Sequence, residues 1–419
     1  MKIVLVNPSV KKSFIPIIPI GILYLVNSLE KEGYQYEIID LNFTSLSEFE
    51  KEIRHSRPDY IGVSMRNIAE TPDYKKFLVD TDMCINIAQK YSKIILGGAG
   101  FSIFPNTLMS LYNANYGIVG AGEKAICDII NGNNKIAEGC VLCENENAFT
   151  TSNLANVMKK YWNKYGKYHS ICKSSIPIQT TRGCKFNCRY CTYKMISGCK
   201  IQQRMIESVI EEIKQIMLVT GKSNFYFVDS IFNMDVVYTK KLLKAIIDSN
   251  IKITWKCCIN PYDYDDELIE LMKKSGCDYC EVGIDSFSDL QLSALGKNFN
   301  SQKAQKMIHC IIGHKIPCSI SLILGGYGET EKSLEETYRV ANENKNIQKN
   351  AFIGERIYPN TLLAKKLEYY SENELFHPSA TSIYISQIVK DRLAKIVFKD
   401  SDKSWNFNGG YNLLKNERM

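Results

Sequence analysis

The stretch TTRGCKFNCRYC, residues 180–191, places three cysteines, Cys184, Cys188 and Cys191, in a CxxxCxxC array on one short loop. Thiolates this close together on a glycine-containing loop can converge on one metal centre, as iron–sulfur clusters require. The array offers three ligands, so a four-iron cluster held here would leave one iron open to a substrate or cosubstrate. The spacing therefore predicts a redox-active iron–sulfur centre.

Two other interpretations of these cysteines stay open. A structural zinc site would need a fourth ligand and could recruit Cys199 or His169, which would make the chain a metal-stabilised binding module without enzymatic activity. Three thiols buried in a core are the other interpretation, against which the polar neighbours Lys185, Asn187 and Arg189 argue. Because paired CxxC knuckles are the commoner zinc layout, the iron–sulfur interpretation is favoured.

The chain around this loop alternates strands and helices. Strands are predicted at 176–180, 224–228, 251–256, 278–283, 318–324 and 351–357, with helices such as 205–219 and 334–344 between them. Six βα units are two short of a full (β/α)₈ barrel, so we expect a partial (β/α)₆ barrel of the TIM type. Chemistry in such barrels lies on the loops after the strands, and the cysteine loop follows the first of them.

A first α/β series precedes the barrel. Its predicted strands are 2–6, 36–40, 60–64, 94–96 and 116–119, and its predicted helices are 20–31, 74–91 and 123–130. Right-handed crossovers would arrange these strands as an open, doubly wound parallel sheet of the flavodoxin or Rossmann type, with its ligand site at the carboxyl ends of the strands. We therefore expect an α/β domain at 1–150, a linker at 151–175, the barrel at 176–360 and a small C-terminal appendage at 361–419.

The composition disfavours several classes of protein. The net charge is +7 with 52 basic and 45 acidic residues and no basic block, which disfavours nucleic acid as a partner and suits a small-molecule substrate. Pro16 and Pro19 interrupt the first apolar stretch, so we expect neither a signal peptide nor a membrane span. Without an export signal, fifteen cysteines indicate thiols in a reducing compartment, and we expect a cytoplasmic protein.

The CxxxCxxC loop after the first strand of a six-unit partial barrel resembles the radical SAM superfamily, whose members cleave S-adenosylmethionine (SAM) reductively at a 4Fe–4S cluster. The resemblance covers about residues 176–357. It implies that Cys184, Cys188 and Cys191 ligate the cluster, that the methionyl amine and carboxylate of SAM chelate the fourth iron, and that Tyr190 lies near the adenine. It also implies a low-potential electron donor such as flavodoxin or ferredoxin.

The ends of the barrel strands would supply further contacts to SAM. The segment EVGIDS, residues 281–286, ends the fourth strand, where related enzymes often have Glu followed by Ser, so Asp285 departs from the pattern. The segment GGYGET, residues 325–330, is a glycine-rich turn after the fifth strand. The SAM-binding residues predicted in this way are Tyr190, Asp229, Ser230, Glu281, Asp285, Ser286, Gly325 and Gly326. Arg356 could meet a substrate carboxylate, or it could be a solvated or salt-bridged arginine.

The first domain resembles the cobalamin-binding domain that precedes the barrel in one large radical SAM subgroup. The resemblance rests on Asn7-Pro8, on PIGILYL at 19–25, on Gly97-Gly98 and on GAGE at 120–123. The cobalamin-binding residues predicted in this way are Ser64, Arg66, Asn67, Gly97, Gly98, Gly120, Gly122 and Glu123. The DxHxxG loop of methionine synthase is missing, and the one histidine before residue 150 is His55, so a bound cobalt would have no histidine lower ligand. A degenerate domain that binds nothing is the alternative.

With cobalamin bound, the resemblance implies that a 5′-deoxyadenosyl radical from SAM abstracts a substrate hydrogen and that methylcobalamin donates a methyl group to the resulting radical. We therefore predict methylation of an unactivated carbon or phosphorus in a small molecule or natural product. Rearrangement, cyclisation and transfer of another SAM fragment, such as 3-amino-3-carboxypropyl, stay open. A methylthiotransferase acting on RNA is disfavoured, because that family needs three cluster cysteines in its first domain, where the first cysteine here is Cys84.

Overall fold

The computed structural model of the protein describes residues 1–8, 17–66, 74–132, 136–144, 154–172, 174–377, 380–399, 402–410 and 413–414. Asn67, one of the predicted cobalamin contacts, lies outside the described residues. None of the helices in these ranges is both long and apolar enough to cross a bilayer. The described chain contains two parallel sheets, each covered by helices, and the predicted α/β class is confirmed.

The N-terminal sheet has six parallel strands in the order β2-β1-β3-β4-β5-β6. Its strands consist largely of buried β-branched and aliphatic residues, as a sheet covered on both faces requires. The elements are β1 Lys2–Asn7, α1 Ile20–Lys31, β2 Gln35–Asp40, α2 Leu46–Ser56, β3 Tyr60–Ser64, α3 Tyr74–Ala88, β4 Lys93–Gly97, α4 Ala99–Ile103, α5 Pro105–Tyr112, β5 Tyr116–Gly120, α6 Glu123–Ile130 and β6 Val141–Glu144. The sixth strand, β6, was not predicted, because only four residues of it lie between polar segments.

The stretch predicted to be a linker, 151–175, is mostly a helix, α7, which spans Leu154–Cys172. Tyr165 and Tyr168 are buried on one face of α7, which packs against α1 of the first domain and against the barrel helix α9, Ile206–Thr220. The sequence did not predict that this connecting segment is helical, because lysines and asparagines between the aromatic residues hid a helical period. The two domains are thus joined by a packed helix rather than by a flexible connection.

The second sheet is the barrel wall, with seven parallel strands in the order β19-β14-β13-β12-β11-β10-β7. Its elements are β7 Ile176–Ile178, β8 Thr181–Arg182, α8 Tyr193–Ser197, β9 Gln202–Gln203, α9 Ile206–Thr220, β10 Asn224–Phe227, α10 Val236–Asp248, β11 Thr254–Ile259, α11 Asp266–Lys274, β12 Cys277–Asp285, α12 Asp289–Leu295, α13 Ser301–Gly313, β13 Cys318–Leu324, α14 Glu331–Glu343 and β14 Gln348–Ile353. The predicted partial barrel is confirmed.

The C-terminal residues are more than an appendage, because their last strand completes the barrel wall beside β14. The elements are β15 Glu355–Arg356, α15 Leu362–Lys366, α16 Glu372–Leu375, β16 Phe376–His377, β17 Ala380–Thr381, β18 Ile383–Tyr384, α17 Lys390–Lys399 and β19 Trp405–Gly409. Trp405 stacks on Tyr338 of α14 with ring centroids 5.4 Å apart and donates a hydrogen bond to Asn342 at 2.8 Å, which anchors this strand. The sequence did not reveal β19, since its alternation is short and its partner strand is fifty residues away.

The barrel strands alternate between two environments. Side chains that point outward, such as Phe225, Trp255 and Val282, are completely buried under the helices. The alternate, inward-pointing side chains on the same strands are half-buried or exposed. The interior of this partial barrel is therefore open to solvent, unlike the packed interior of a closed TIM barrel.

Candidate active site

The cysteine loop begins where β7 ends, and close backbone packing around Gly183 fixes its conformation. Gly183 has φ +96, and a Cβ atom added there would lie 2.2 Å from the carbonyl oxygen of Lys200. The Cys184 N–H donates to the carbonyl of Gly198 at 3.0 Å, and the Ser230 hydroxyl donates to the carbonyl of Gly183 at 2.8 Å. The loop conformation is thus fixed from three sides before any metal is bound.

Asp229 also anchors this loop rather than facing a ligand. Its buried carboxylate accepts the N–H groups of Thr180 at 2.7 Å and of Thr181 at 3.0 Å, and it accepts the Thr180 hydroxyl as well. Burial raises the pKa of Asp229 to about 6, although the Thr180 hydrogen bond opposes the shift. Asp229 and Ser230 were predicted to bind the SAM amino group, but their polar atoms are engaged by the chain itself. They are positioning residues of the cysteine loop.

The spacing of the three cysteine sulfurs distinguishes a cluster from a single ion. The Sγ atoms of Cys184, Cys188 and Cys191 are near neighbours whose charges interact, yet they do not all lie within 4.8 Å of one another. Ligands of one tetrahedral Zn²⁺ with bonds of about 2.3 Å would lie about 3.8 Å apart. Sulfurs that bind different irons of one cluster lie farther apart. The loop therefore fits an iron–sulfur cluster better than zinc.

Neither predicted fourth zinc ligand joins this set. Cys199 is exposed, and His169 lies on α7, where its ring contacts the carbonyl of Ser174 at 3.3 Å. Within the part of the chain that the structure describes, one His/Cys/carboxylate trio has its ligand atoms within 4.8 Å of one another. It consists of Asp266, Cys310 and His314 and lies on the outer surface, at α11 and α13. The geometry thus gives no support to a structural zinc site in the cysteine loop.

A buried ion pair lies beside the cysteines. Asp285, at the end of β12, has φ +71, accepts the Tyr190 hydroxyl at 2.5 Å and forms an ion pair with Lys297. Burial would lower the pKa of Lys297, but the carboxylate of Asp285 and the nearby thiols of Cys188 and Cys191 outweigh burial and raise it above the ordinary value. Lys297 therefore provides a permanent positive charge next to the cysteine thiolates.

Two residues that were predicted to contact SAM, Tyr190 and Asp285, contact each other in this structure. The hydroxyl of Tyr190 donates a hydrogen bond to the carboxylate of Asp285, so the two side chains would contact a ligand as one hydrogen-bonded pair. The sequence did not reveal Lys297, because a lysine after a glycine is typical of an exposed loop. Ser286 was also predicted to contact SAM, but its hydroxyl is completely buried and shares a hydrogen bond of 2.7 Å with Thr337 of α14. The hydroxyl of Ser286 therefore faces α14, and the structure gives no support to a contact between this side chain and SAM.

The glycine turn after β13 is supported by two buried glutamates that the sequence did not single out as ligands. Glu329 accepts the N–H of Gly325, and Glu355 accepts the N–H of Tyr327 at 2.9 Å. Burial raises the pKa of Glu329 to about 8 and that of Glu355 to about 7, against the lowering effect of these backbone hydrogen bonds. Gly326 packs against the Glu355 carboxylate, so the predicted SAM residues Gly325 and Gly326 form one unit with the glutamates.

Buried acceptors without hydrogen bonds lie at this turn. The Oε1 atoms of Glu329, Glu355 and Gln291 are buried, and no hydrogen bond satisfies them in the described structure. Buried polar atoms without partners are costly, so they indicate donors that arrive with a ligand. The ammonium and the ribose hydroxyls of SAM are donors of the required kind. The residues present therefore fit SAM, although its individual contacts stay a prediction.

The remaining predicted barrel residues lie in the interior. Glu281 is in the middle of β12, four residues before the strand end, and accepts a hydrogen bond from Ser321. This position in the middle of the strand gives no support to the SAM contact that was predicted for Glu281. The guanidinium of Arg356 lies 4.1 Å from the ring centroid of Phe352, and its Nε is buried without a described hydrogen-bond partner. Arg356 thus stays a candidate for substrate binding at the barrel mouth.

The carboxyl edge of the N-terminal sheet is divided into a covered and an open part. At the ends of β1 and β2, Asn7, Asp40 and Asn42 form a hydrogen-bonded network with Tyr168 of α7, including a bond of 2.6 Å from the tyrosine hydroxyl to Asp40. At the ends of β3, β4 and β5, α8 of the cysteine loop packs close to α4 and β5. A cofactor at this edge would therefore lie beside β3 to β5, facing the cysteine loop.

The predicted cobalamin residues follow this open part. Ser64, Arg66, Gly97, Gly98, Gly120 and Gly122 all lie at the ends of β3, β4 and β5. Gly98 has φ +91, and a Cβ there would lie 2.5 Å from the Met65 carbonyl oxygen, so this glycine lets two strand ends approach each other. His55 is exposed in the last turn of α2, at the opposite edge of the sheet. The structure thus places no N-terminal histidine of the described residues near a bound cobalt.

Glu123 departs from its predicted role. Its carboxylate pairs with the Arg182 guanidinium at 2.8 Å, and both side chains are about nine-tenths buried, with 10% and 12% exposure. The same guanidinium lies 5.5 Å from the ring centroid of Tyr24 on α1. Because Arg182 immediately precedes Gly183 and Cys184, this contact joins the N-terminal domain to the cysteine loop. We therefore correct the assignment of Glu123 from a cobalamin ligand to an interdomain residue.

Two family models match the chain. The radical SAM superfamily model matches residues 178–341, and the B12 binding domain model matches residues 10–130. The chain is 24% identical to an uncharacterized methyltransferase of Pyrococcus horikoshii, over 82% of this chain and 78% of that protein. It is 21% identical to tryptophan 2-C-methyltransferase of Streptomyces laurentii, over 87% and 74% of the two chains.

The fold is shared with a solved structure of this kind. The radical SAM methyltransferase TsrM from Kitasatospora setae, with cobalamin and a [4Fe–4S] cluster bound, superposes with a TM-score of 0.78 at 18% identity. The match covers 93% of this chain and 84% of that chain. The prediction that the chain is an enzyme with a 4Fe–4S cluster, SAM and cobalamin as cofactors is confirmed by the two domain matches. The chain therefore belongs to the radical SAM enzymes that carry an N-terminal B12-binding domain.

Proposed function

We propose that this enzyme methylates an unactivated carbon or phosphorus of a small polar molecule. The observation that carries the proposal is the position of the cysteine loop, which α8 packs against the open carboxyl edge of the N-terminal sheet. Groups bound at the cluster and at that edge would share one interdomain space. The methyltransferases among the relatives support transfer of a methyl group rather than of another SAM fragment.

When bound, the cluster with SAM supplies a radical that can remove an unreactive hydrogen, and cobalamin supplies a methyl carrier. The chain's own residues prepare the site for them. Gly183 and Asp229 fix the cysteine loop, and Lys297 places a positive charge beside it. Glu355 and Gln291 offer acceptors to the polar groups of SAM, and the Arg182–Glu123 pair keeps the two domains in contact. Such positioning is the protein's main contribution to catalysis by bound cofactors.

The other predicted functions receive less support. An RNA methylthiotransferase would need a second cluster site in the first domain, but Cys84 and Cys127 are buried in separate helices there. Among the described residues, no cysteine trio in that domain brings its sulfurs together. A zinc-stabilised binding module does not explain the unsatisfied acceptors at the glycine turn. Rearrangement and cyclisation are outcomes that the product assay below distinguishes.

A low-potential donor such as flavodoxin or ferredoxin is proposed as the electron source, because reductive SAM cleavage needs an electron that no described residue can provide. We also propose that the enzyme works in a reducing compartment such as the cytoplasm. The described cysteines form no disulfide, which supports this proposal.

The test is anaerobic reconstitution with iron, sulfide and hydroxocobalamin, followed by quantitation of iron, cobalt and zinc. We expect about four irons and about one cobalt per chain, with iron lost in Cys191→Ala and kept in the control Cys199→Ala. SAM labelled in its methyl group is then supplied with a chemical reductant and candidate small molecules. Formation of 5′-deoxyadenosine together with label in an acceptor supports the proposal. Zinc without iron, or acceptor products without label, would contradict it.

A further inference from the structure

The barrel interior is lined almost entirely by polar side chains. The inward-pointing residues of the wall are Tyr226, Lys256, Cys258, Tyr279, Glu281, Ser319, Ser321, Asn350 and Phe352. These side chains are half-buried or exposed, except for Ser319, which is buried. A flat hydrocarbon skeleton would leave many of these groups without hydrogen bonds, which is costly. The lining therefore suits a polar ligand.

Glu281 lies at the centre of a set of side-chain contacts that spans four strands, β10 to β13. Its Oε1 accepts a hydrogen bond from Ser321 of β13, and its Oε2 lies 3.9 Å from the sulfur of Cys258 on β11. The same sulfur lies 3.2 Å from the hydroxyl of Tyr226 on β10. Tyr279, two residues before Glu281, has its hydroxyl bonded to Ser319 at 2.6 Å. The carboxylate is thus held in place by neutral groups.

No cation of the described chain neutralises Glu281. Neither a lysine nor an arginine in the described ranges forms an ion pair with it. Lys256 points into the same interior from β11, with its ammonium 6.0 Å from the ring centroid of Tyr279, but it does not pair with Glu281. A half-buried carboxylate without an ion-pair partner can accept charge-assisted hydrogen bonds from an ammonium group. Glu281 lies four residues before the end of β12, deeper in the barrel than the strand-end residues that are predicted to contact SAM. A substrate ammonium would supply the ion-pair partner that Glu281 lacks among the described residues.

We propose that the barrel interior binds a substrate that carries an ammonium group and that Glu281 is its counter-ion. This inference rests on the proposed function and deepens it by naming the substrate class. The flanking rings of Tyr226 and Tyr279 support it, since aromatic faces next to a carboxylate favour a cation. A free amino acid, an amine or an amino-modified natural product belongs to this class, whereas a sterol-like lipid does not.

The experiment uses the reconstituted holoenzyme with SAM bound. A mixture of the twenty L-amino acids and their decarboxylated amines is equilibrated against it by dialysis, and retention of each compound is read by mass spectrometry. A parallel mixture contains the N-acetylated counterparts, which have the same skeletons without the charge. The variants are Glu281→Gln, which keeps the shape, and the matched control Glu270→Gln, which removes a carboxylate on the outer surface of α11.

We expect at least one ammonium compound to be retained, its N-acetylated counterpart to be lost, and Glu281→Gln to weaken retention by about tenfold or more, with Glu270→Gln unchanged. Equal retention of both mixtures, no retention of any ammonium compound, or full retention by Glu281→Gln would overturn the inference. Iron and cobalt are quantified in the same preparations. Loss of these metals from the wild-type protein would contradict the proposed function, whereas normal metal content with the wrong retention pattern would contradict this inference alone.

Discussion

Replacing Gly183 by alanine tests whether the cysteine loop is shaped by the chain or by the metal. Gly183 has φ +96, and the new Cβ would lie 2.2 Å from the Lys200 carbonyl oxygen. Ordinary contacts begin at 3.4 Å, so the two segments would have to separate by about 1.2 Å, which is 3.4 minus 2.2. They cannot do so freely, because Thr181 and Arg182 pair with β9 just beyond Lys200.

The expected cost is the sum of two effects. A left-handed backbone costs alanine about 1–2 kcal/mol, and overpacking against backbone costs about 1–3 kcal/mol. The control is Gly221→Ala at the end of α9, where φ is +65 but nothing lies within 4 Å of the new Cβ. Gly221→Ala should cost only the backbone effect, about 1–2 kcal/mol.

The assay is iron and sulfide content after anaerobic reconstitution, with thermal unfolding of the same samples. Wild type and Gly221→Ala should each bind about four irons, and Gly183→Ala roughly half of that or less, because Cys184 is displaced together with its neighbour. Equal iron content and equal unfolding midpoints in all three proteins would refute the reasoning. The close backbone packing around Gly183 would then have no role in assembling the cluster.

Three further predictions concern buried charge. Lys297→Met should destabilise the protein by about 3–5 kcal/mol, because it leaves the Asp285 carboxylate buried without its partner. The double variant Lys297→Met/Asp285→Asn should recover part of this loss, as measured by thermal unfolding. Equal stability of the two variants would contradict the prediction. In a double-mutant cycle of Arg182→Gln and Glu123→Gln, we expect a coupling of about 0.5–3 kcal/mol, and strictly additive unfolding shifts would show that the pair does not join the domains. Burial raises the pKa of Glu329 from 4.5 to about 8, so between these values this group binds more protons in the folded, cofactor-free protein than in the unfolded chain. Its contribution to stability should fall as pH rises from about 5 to 8, by up to about 5 kcal/mol. Because the raised pKa values of Glu355 and Asp229 act in the same direction, Glu329→Gln should reduce the pH dependence in denaturant titrations without abolishing it, and an unchanged slope would count against the prediction.

The fold was largely predictable because its signals are local. Strands such as β1 and β3 consist of consecutive buried aliphatic residues, and the cysteine spacing is readable without any tertiary contact. The parts that escaped prediction depend on distant partners. β19 becomes a strand only beside β14, and α7 becomes a packed helix only between two domains.

The candidate site was predictable in position but less so in detail. Ligand chemistry identified the three cysteines, whereas Lys297 is an ordinary lysine until Asp285 is seen beside it. Asp229 was chosen for its place at a strand end, but the backbone N–H groups of a neighbouring loop occupy its carboxylate. Which way a polar side chain at a strand end points is decided by such hydrogen bonds, and they leave no periodic trace in the sequence.

The barrel wall has consequences for biosynthesis, because its last strand, β19, lies more than two hundred residues after the first, β7. Until the ribosome has passed Gly409, β14 presents an unpaired edge, and the barrel wall is incomplete at the side farthest from β7. At about 5–20 residues per second, the gap between the emergence of the cysteines and of this strand lasts roughly 10–45 seconds. Delivery of iron and sulfide is therefore expected after translation, and the nascent chain needs protection from strand-to-strand aggregation until then.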